Sequence, residues 1–97
     1  MKTWRERIAE ARARGRLSLE DSRDWCRLDK CPAAVAASRY GITGAEDNNI
    51  RHIPARWAAL WRLGTKAHSA ASLQKWDECE RLLDSIEDTA LELKRQQ

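Results

Sequence analysis

The sequence predicts an all-α fold: a compact bundle of four to five helices whose C-terminal part is an antiparallel helical hairpin. Three observations predict it. Helix formers such as Ala, Leu, Arg and Glu dominate the 97 residues, while Phe is absent. Aliphatic β-branched residues are few (Val35, with Ile8, Ile42, Ile50, Ile53 and Ile86), and strands favour branched and aromatic side chains. Apolar residues recur at helical spacing between cap signals. At this length the chain is expected to form a single helical domain, 1–97, with a limited core. Five tryptophans (Trp4, Trp25, Trp57, Trp61, Trp76) must supply much of its bulk.

The first helix is marked by Thr3-Trp4-Arg5-Glu6, a capping box in which Thr3 accepts from the amide of Glu6 and Glu6 reaches back to the amide of Thr3. Trp4, Ile8 and Ala11 share its apolar face, and Gly15 provides a left-handed stop. Ser18 caps a second helix, where Glu20 and Asp21 suit the positive end and Trp25, Cys26 and Leu28 form the apolar side. That helix should end before Pro32, which itself suits a first helical position. The Ala-rich run to Tyr40 makes a short third helix closed by Gly41. Residues 42–53 carry turn chemistry without a sustained period and read as the one long loop.

The fourth helix is expected from about Pro54 to about Leu73, with Trp57, Leu60, Trp61, Gly64, Ala67 and Ala71 as its buried stripe. Gly64 implies either a close crossing by a neighbouring helix or a break, because glycine costs roughly 1 kcal/mol against alanine inside a helix. The fifth helix should be capped by Asp77, with Cys79, Leu82, Leu83, Ile86, Ala90 and Leu93 facing inward. Acids crowd its start, and Lys94 and Arg95 sit in its last turn, matching the helix dipole. A short turn around Gln74-Lys75 makes these two helices the antiparallel hairpin. No internal repeat is visible, so a solenoid is not expected.

No stretch approaches the roughly 20 apolar residues of a membrane-spanning helix. The N-terminal residues are charged and lack the apolar run of a signal peptide, so a cytosolic location is expected, that of the host cell if the protein is phage-encoded. Three cysteines (Cys26, Cys31, Cys79) suit a reducing compartment better than a disulfide framework. The net charge of +3 is unevenly placed. Residues 1–16 hold six Lys/Arg against two acids, and residues 32–75 another six against two. From Trp76 onward seven acids face three bases.

Cys26-x4-Cys31, Cys79, His52 and His68 offer five metal-ligand types, but a structural zinc site needs a second tight ligand pair, which is missing. Cys26 and Cys79 fall on apolar helical faces, where a thiol acts as a small hydrophobe. Cys31 lies beside the start of the third helix, where the dipole can lower its pKa. No base or oxyanion site accompanies it in any recognisable motif, and no glycine-rich phosphate loop exists. The expectation is no catalytic site, no metal and no cofactor.

The basic residues are more informative. Arg5, Arg12 and Arg16 follow helical spacing on the first helix, while Arg51, Arg56, Arg62 and Lys66 flank the loop and the fourth helix. Clustered arginines near tryptophan can bind phosphates and stack on bases. The plainer alternative is a solvated exterior partly neutralised by the acidic fifth helix. The second and third helices meet at Cys31-Pro32 without a glycine turn, so no helix-turn-helix pattern emerges, and direct nucleic-acid binding is the lesser expectation. Tryptophan and arginine are enriched at protein-binding hot spots, and a protein-interaction role fits best.

A resemblance bears on that role. Thr3-Trp4-Arg5-Glu6-Arg7-Ile8-x2-Ala11-x3-Gly15-Arg16-Leu17-Ser18-x2-Asp21 resembles the opening of a group of small phage and bacterial proteins. The Trp25 to Cys31 segment and Glu80-Arg81-Leu82-Leu83-Asp84-Ser85-Ile86-Glu87-Asp88-x-Ala90-Leu91-Glu92-Leu93-Lys94-Arg95 are also similar to theirs. Some members of the group resemble anti-CRISPR proteins of the type I-F class, phage inhibitors of CRISPR–Cas surveillance complexes. The matching positions are mainly caps and core, so they carry fold and transfer no functional residue. The resemblance implies stoichiometric binding to a Cas subunit or subunit junction that keeps target DNA out. Many such inhibitors are acidic DNA mimics, a pattern from which this net-positive chain departs. The function expected is therefore a non-enzymatic protein-binding inhibitor; the alternative is a small nucleic-acid-binding or regulatory protein. The expected partner-binding face joins the first helix, the loop and the start of the fourth helix, with Arg5, Arg12, Arg51, Arg56, Trp61 and Arg62 as its candidates.

Overall fold

Three helices begin on a side chain that accepts a hydrogen bond from the first turn: Thr3 Oγ1 from the Glu6 amide at 3.2 Å, Ser18 Oγ from the Asp21 amide at 3.1 Å, and Cys31 Sγ from the Ala34 amide at 3.4 Å. The computed structural model describes residues 2–27, 29–42 and 55–96, the side chains of 55–57 excepted. Among the described residues there are five helices and no strand: α1 (Trp4–Arg14), α2 (Leu19–Trp25), α3 (Pro32–Arg39), α4 (Ala55–Ser72) and α5 (Trp76–Arg95). The chain is an all-α bundle, and no helix among these residues is long and apolar enough to cross a membrane.

Gly15 closes α1 at φ +88°, where the Gly15 and Arg16 amides both donate to the Ala11 carbonyl. Only half of the expected capping box forms. The Thr3 bond is present, whereas no bond from the Thr3 amide to Glu6 occurs among the described residues. Gly41 (φ +64°) closes α3, and the Ile42 amide donates to the Ala37 carbonyl at 2.9 Å. Ile42 is thereby buried. The rest of the loop expected at 42–53 lies outside the described residues, as does Leu28.

The hairpin of α4 and α5 is the most extensive helix pair of the fold. Leu60, Ala67 and Ala71 of α4 face Cys79, Leu83, Ile86 and Ala90 of α5, all buried. The small residues between larger ones let the two helices approach closely. Asp77 does not cap α5, contrary to expectation. Lys75 occupies the cap position without a side-chain bond, and Asp77 lies inside the first turn, where Arg12 takes its carboxylate.

The third helix lies across this hairpin and is buried on nearly every side: Pro32, Ala33, Ala34, Ala36 and Ala37 are all inaccessible. Its alanines pack beside Gly64. The fourth helix is continuous through that glycine, and a Cβ built there would meet the Ala33 Cβ at 3.6 Å. The helix does not break at the glycine, and a Cβ there would make only ordinary contact with Ala33.

Between α4 and α5 the chain turns through Gln74 at φ +62°, with the Lys75 amide bonded to the Ala70 carbonyl at 2.8 Å. A left-handed conformation strains any residue that carries a Cβ. Gln74→Gly is expected to raise stability by about 0.5–1 kcal/mol, part of the released strain being offset by glycine's greater freedom in the unfolded chain. A higher urea midpoint at unchanged slope is the expected result; no rise would mean that the turn holds no strain.

Candidate functional site

The arginines of α1 do not form a free basic surface. Arg5 pairs with Asp84, and Arg12 Nη1 contacts Asp77 Oδ1 at 2.8 Å and Glu80 Oε1 at 3.3 Å. Arg5 and Arg12 are two turns apart, as are Asp77 and Asp84, so antiparallel helices bring the pairs into register. Arg39 of α3 pairs with Glu87, which also accepts from the Tyr40 hydroxyl at 3.2 Å. The acids of α5 are thus largely occupied by the chain's own arginines. Exposed pairs of this kind contribute about 0–1 kcal/mol each, so they orient the helices more than they stabilise them.

A less exposed network joins α1 to α2. Arg7 Nη2 donates to Asp24 Oδ2 at 2.6 Å, and its Nε lies 3.2 Å from Asp21 Oδ1. Its guanidinium sits 4.4 Å above the Trp4 ring. The Arg7 hydrogen bond holds the Asp24 carboxyl below its usual range. Asp21 is the buried charged residue of the described core, with Arg14 Nη2 a further 3.7 Å contact.

The fourth helix is different. From Ala55 to Ser72 it contains no acid, and Arg62 and Lys66 make no ion pair among the described residues. Both are exposed, and the Arg62 Nε donates to the Ala58 carbonyl at 3.3 Å. Trp61 is half-buried against the core and borders the same helix surface. Of the six expected binding residues, the structure leaves Trp61 and Arg62 together, and it draws Arg5 and Arg12 into pairs with α5. Arg51 lies outside the described residues, as does the side chain of Arg56.

Beside Trp61 opens a cavity of about 160 Å³ lined by Trp25, Cys26, Cys31, Ala33, Trp61, Gly64, Thr65 and His68. Its inner wall is an aromatic stack. The Trp4 and Trp25 centroids are 4.7 Å apart at 58°, and Trp25 and His68 are 5.2 Å apart at 17°. The Trp25 indole N–H donates to the Gly64 carbonyl at 3.0 Å, and the Trp4 N–H to the Lys30 carbonyl at 3.0 Å. Thr65 donates to the Trp61 carbonyl at 3.0 Å, leaving its oxygen free to accept. Burial pushes the His68 imidazole below its ordinary value, so it is neutral at pH 7.

Two thiol expectations need correction. Cys26 is exposed at the end of α2 and does not pack on an apolar face, because the helix ends one residue earlier. Cys31 is not activated by the α3 dipole: burial pushes its thiol up and outweighs the amides that donate to it. Cys79 is buried and pushed up to about 12. Neither buried thiol supplies a thiolate at neutral pH. Among the described residues no three His, Cys, Asp or Glu side chains are grouped to hold a metal.

Sequence reasoning missed the cavity, with Thr65 and His68, because a thiol turn and a helix face meet there only through folding. It could have found the α1–α5 pairing from the matched seven-residue spacings. No family model matches this chain, and no curated protein or solved structure is similar to it.

Two measurements check this geometry. Arg7→Ala should cost about 2 kcal/mol; that is below the 3–5 typical of a broken buried pair, because Arg14 still faces Asp21. A denaturant midpoint like the parent's would remove Arg7 as the link between α1 and α2. For His68 the folded-state value is depressed, so the unfolded chain takes up the proton first as the pH falls. Its contribution is complete above about pH 6.5 and is lost below it. The fall in Tm from about pH 7.5 to about pH 5 should therefore be smaller in His68→Gln, and an identical fall would show that the ring is not desolvated.

Proposed function

We propose that this protein is a non-enzymatic binding protein that inhibits a type I CRISPR–Cas surveillance complex by occupying its surface and keeping target DNA out. It would act in the cytosol of the host cell. The class of partner comes from the resemblance of the first and last segments to type I-F anti-CRISPR proteins. One observation carries the location of the contact: among the described residues Arg62 and Lys66 of α4 make no ion pair, while the arginines of α1 and α3 are matched by acids of α2 and α5. Charges left unmatched inside a fold are available to a partner's carboxylates, or to contacts that nucleic-acid phosphates would otherwise make. Trp61 beside them adds the aromatic surface common at hot spots.

Steric occlusion supports this reading better than DNA mimicry does. Asp77, Glu80, Asp84 and Glu87 are engaged by Arg12, Arg5 and Arg39, so the acidic helix offers only part of its charge outward. Arg62, Lys66 and Trp61 are therefore the first contacts to test, ahead of Arg5 and Arg12.

The test is affinity capture from a host lysate with and without nuclease, together with an inhibition assay on the recovered complex. Nuclease-resistant recovery of Cas subunits is expected. Arg62→Glu with Lys66→Glu, melting like the parent, should weaken that binding roughly thirtyfold, the equivalent of about 2 kcal/mol for a desolvated arginine. Recovery of nucleic acid alone, abolished by nuclease, would replace the inhibitor with a nucleic-acid-binding protein. Full inhibition by the charge-reversed variant, with loss on changing Glu78 and Asp88, would move the contact to α5.

A further inference from the structure

We infer that the cavity between α2, α3 and α4 admits one base of a single-stranded nucleic acid, with Arg62 and Lys66 meeting the phosphates beside it. Trp61 and the His68 imidazole give the cavity aromatic walls, and the buried Trp25, already stacked on His68, forms its floor, with Ala33 and Gly64 beside them. Its volume of about 160 Å³ is well below the roughly 300–1,000 Å³ of pockets for drug-sized ligands, and corresponds to one ring with its substituents.

The polar groups suit a base edge. A neutral imidazole presents one donor and one acceptor, and the Thr65 oxygen can accept while its proton is held by the Trp61 carbonyl. Among the described residues no lysine, arginine, aspartate or glutamate lines the cavity, so they offer a phosphate no counter-charge inside it and an ammonium no carboxylate. The cations lie instead on the adjoining strip of α4, where Arg62 and Lys66 are one turn apart and exposed. That separation of a stacking site from flanking cations is what a single strand requires: bases stack in a sequence-tolerant way, and phosphates are drawn by charge. The carboxylates nearest in sequence on the α2 side, Asp24 and Asp29, are neutralised by Arg7 and Arg27.

This inference stands apart from the inhibitor reading, since it concerns the isolated protein and needs no Cas complex. The experiment titrates the protein with oligothymidylate at low salt, following tryptophan fluorescence. A second arm uses an abasic deoxyribose-phosphate oligomer of equal length, which keeps the phosphates and removes the bases. Quenching by oligothymidylate is expected, with the abasic strand binding more weakly by about tenfold or more. Thr65→Phe, at an exposed lip position, should fill the entrance, melt like the parent and abolish the difference between the two strands. Arg62→Ala with Lys66→Ala should weaken both strands and lower the salt dependence by about two phosphate contacts. Equal binding of both strands by the parent protein would reduce the site to surface charge and overturn the base pocket. Absence of any binding would overturn it as well, as would a Thr65→Phe variant that still prefers oligothymidylate. In either case an apolar side chain of a protein partner would be left as the occupant to test.

Discussion

Trp25 reaches across 39 residues of sequence to bond the Gly64 carbonyl, and the position of α2 depends on that contact. The second helix is short and makes no extensive close approach to any other helix; long side chains hold it from a distance. The Trp25 ring meets Trp4 at a tilt and stacks on His68, so a single residue of α2 touches both α1 and α4. The indole N–H is satisfied by a free lone pair of the Gly64 carbonyl. A buried indole without such a partner would lose about 1–3 kcal/mol, comparable to a sizeable share of a small domain's stability. Position 64 thus meets two neighbours at once, Ala33 beside its Cα and Trp25 at its carbonyl.

Around that link the fold divides its labour between packing and charge. Alanines in α3 and small residues in α4 bring backbones together, which limits the apolar area each residue can bury. Two indoles, Trp4 and Trp25, compensate by burying about 150–250 Å² each. The polar counterpart is Arg7, which lies over Trp4 and ties Asp21 and Asp24 to α1. Charges elsewhere select orientation: the arginine rail of α1 matches the acidic rail of α5 only when the helices run antiparallel.

How much of this was legible in the sequence depends on the range of the interaction. Thr3, Ser18, Gly15, Gly41 and Pro32 act within a few residues, and each helix end they mark is where the sequence placed it. The inward faces of α4 and α5 follow a period that needs no knowledge of the partner. Asp77 shows the limit. It has the chemistry of a cap, but Arg12 is within reach in three dimensions, and a charge-assisted contact outcompetes a marginal cap. Cys31 shows another limit, because its proximity to a helix start was visible while its burial under α3 was not. The candidate site was half legible. Trp61 and Arg62 could be named from residue type and spacing, but the removal of Arg5 and Arg12 into pairs with α5 required knowing which helices are neighbours. The cavity was invisible, since its lining comes from α2, α3 and α4 and no segment contributes more than a few residues.

The same division explains why α4 is the helix able to carry a contact. Its inner side is fixed at closely spaced points by α5 and by the Ala33–Gly64 crossing, so little backbone entropy is left to lose when its outer side meets a partner. Among the described residues Arg62 and Lys66 have no acid partner to leave behind, whereas Arg5, Arg12 and Arg39 would each have to break an ion pair. Half-burial of Trp61 anchors the ring while keeping one part of it available, which lowers the cost of ordering a large side chain. An α1 surface would need its arginines to exchange Asp77, Glu80 or Asp84 for a new carboxylate, a near-neutral trade in water. The difference in pairing between the cations of α4 and those of α1 is therefore an energetic preference between these two helices for where association can occur, set by which of them the acidic α5 faces with its charges and which with its apolar side.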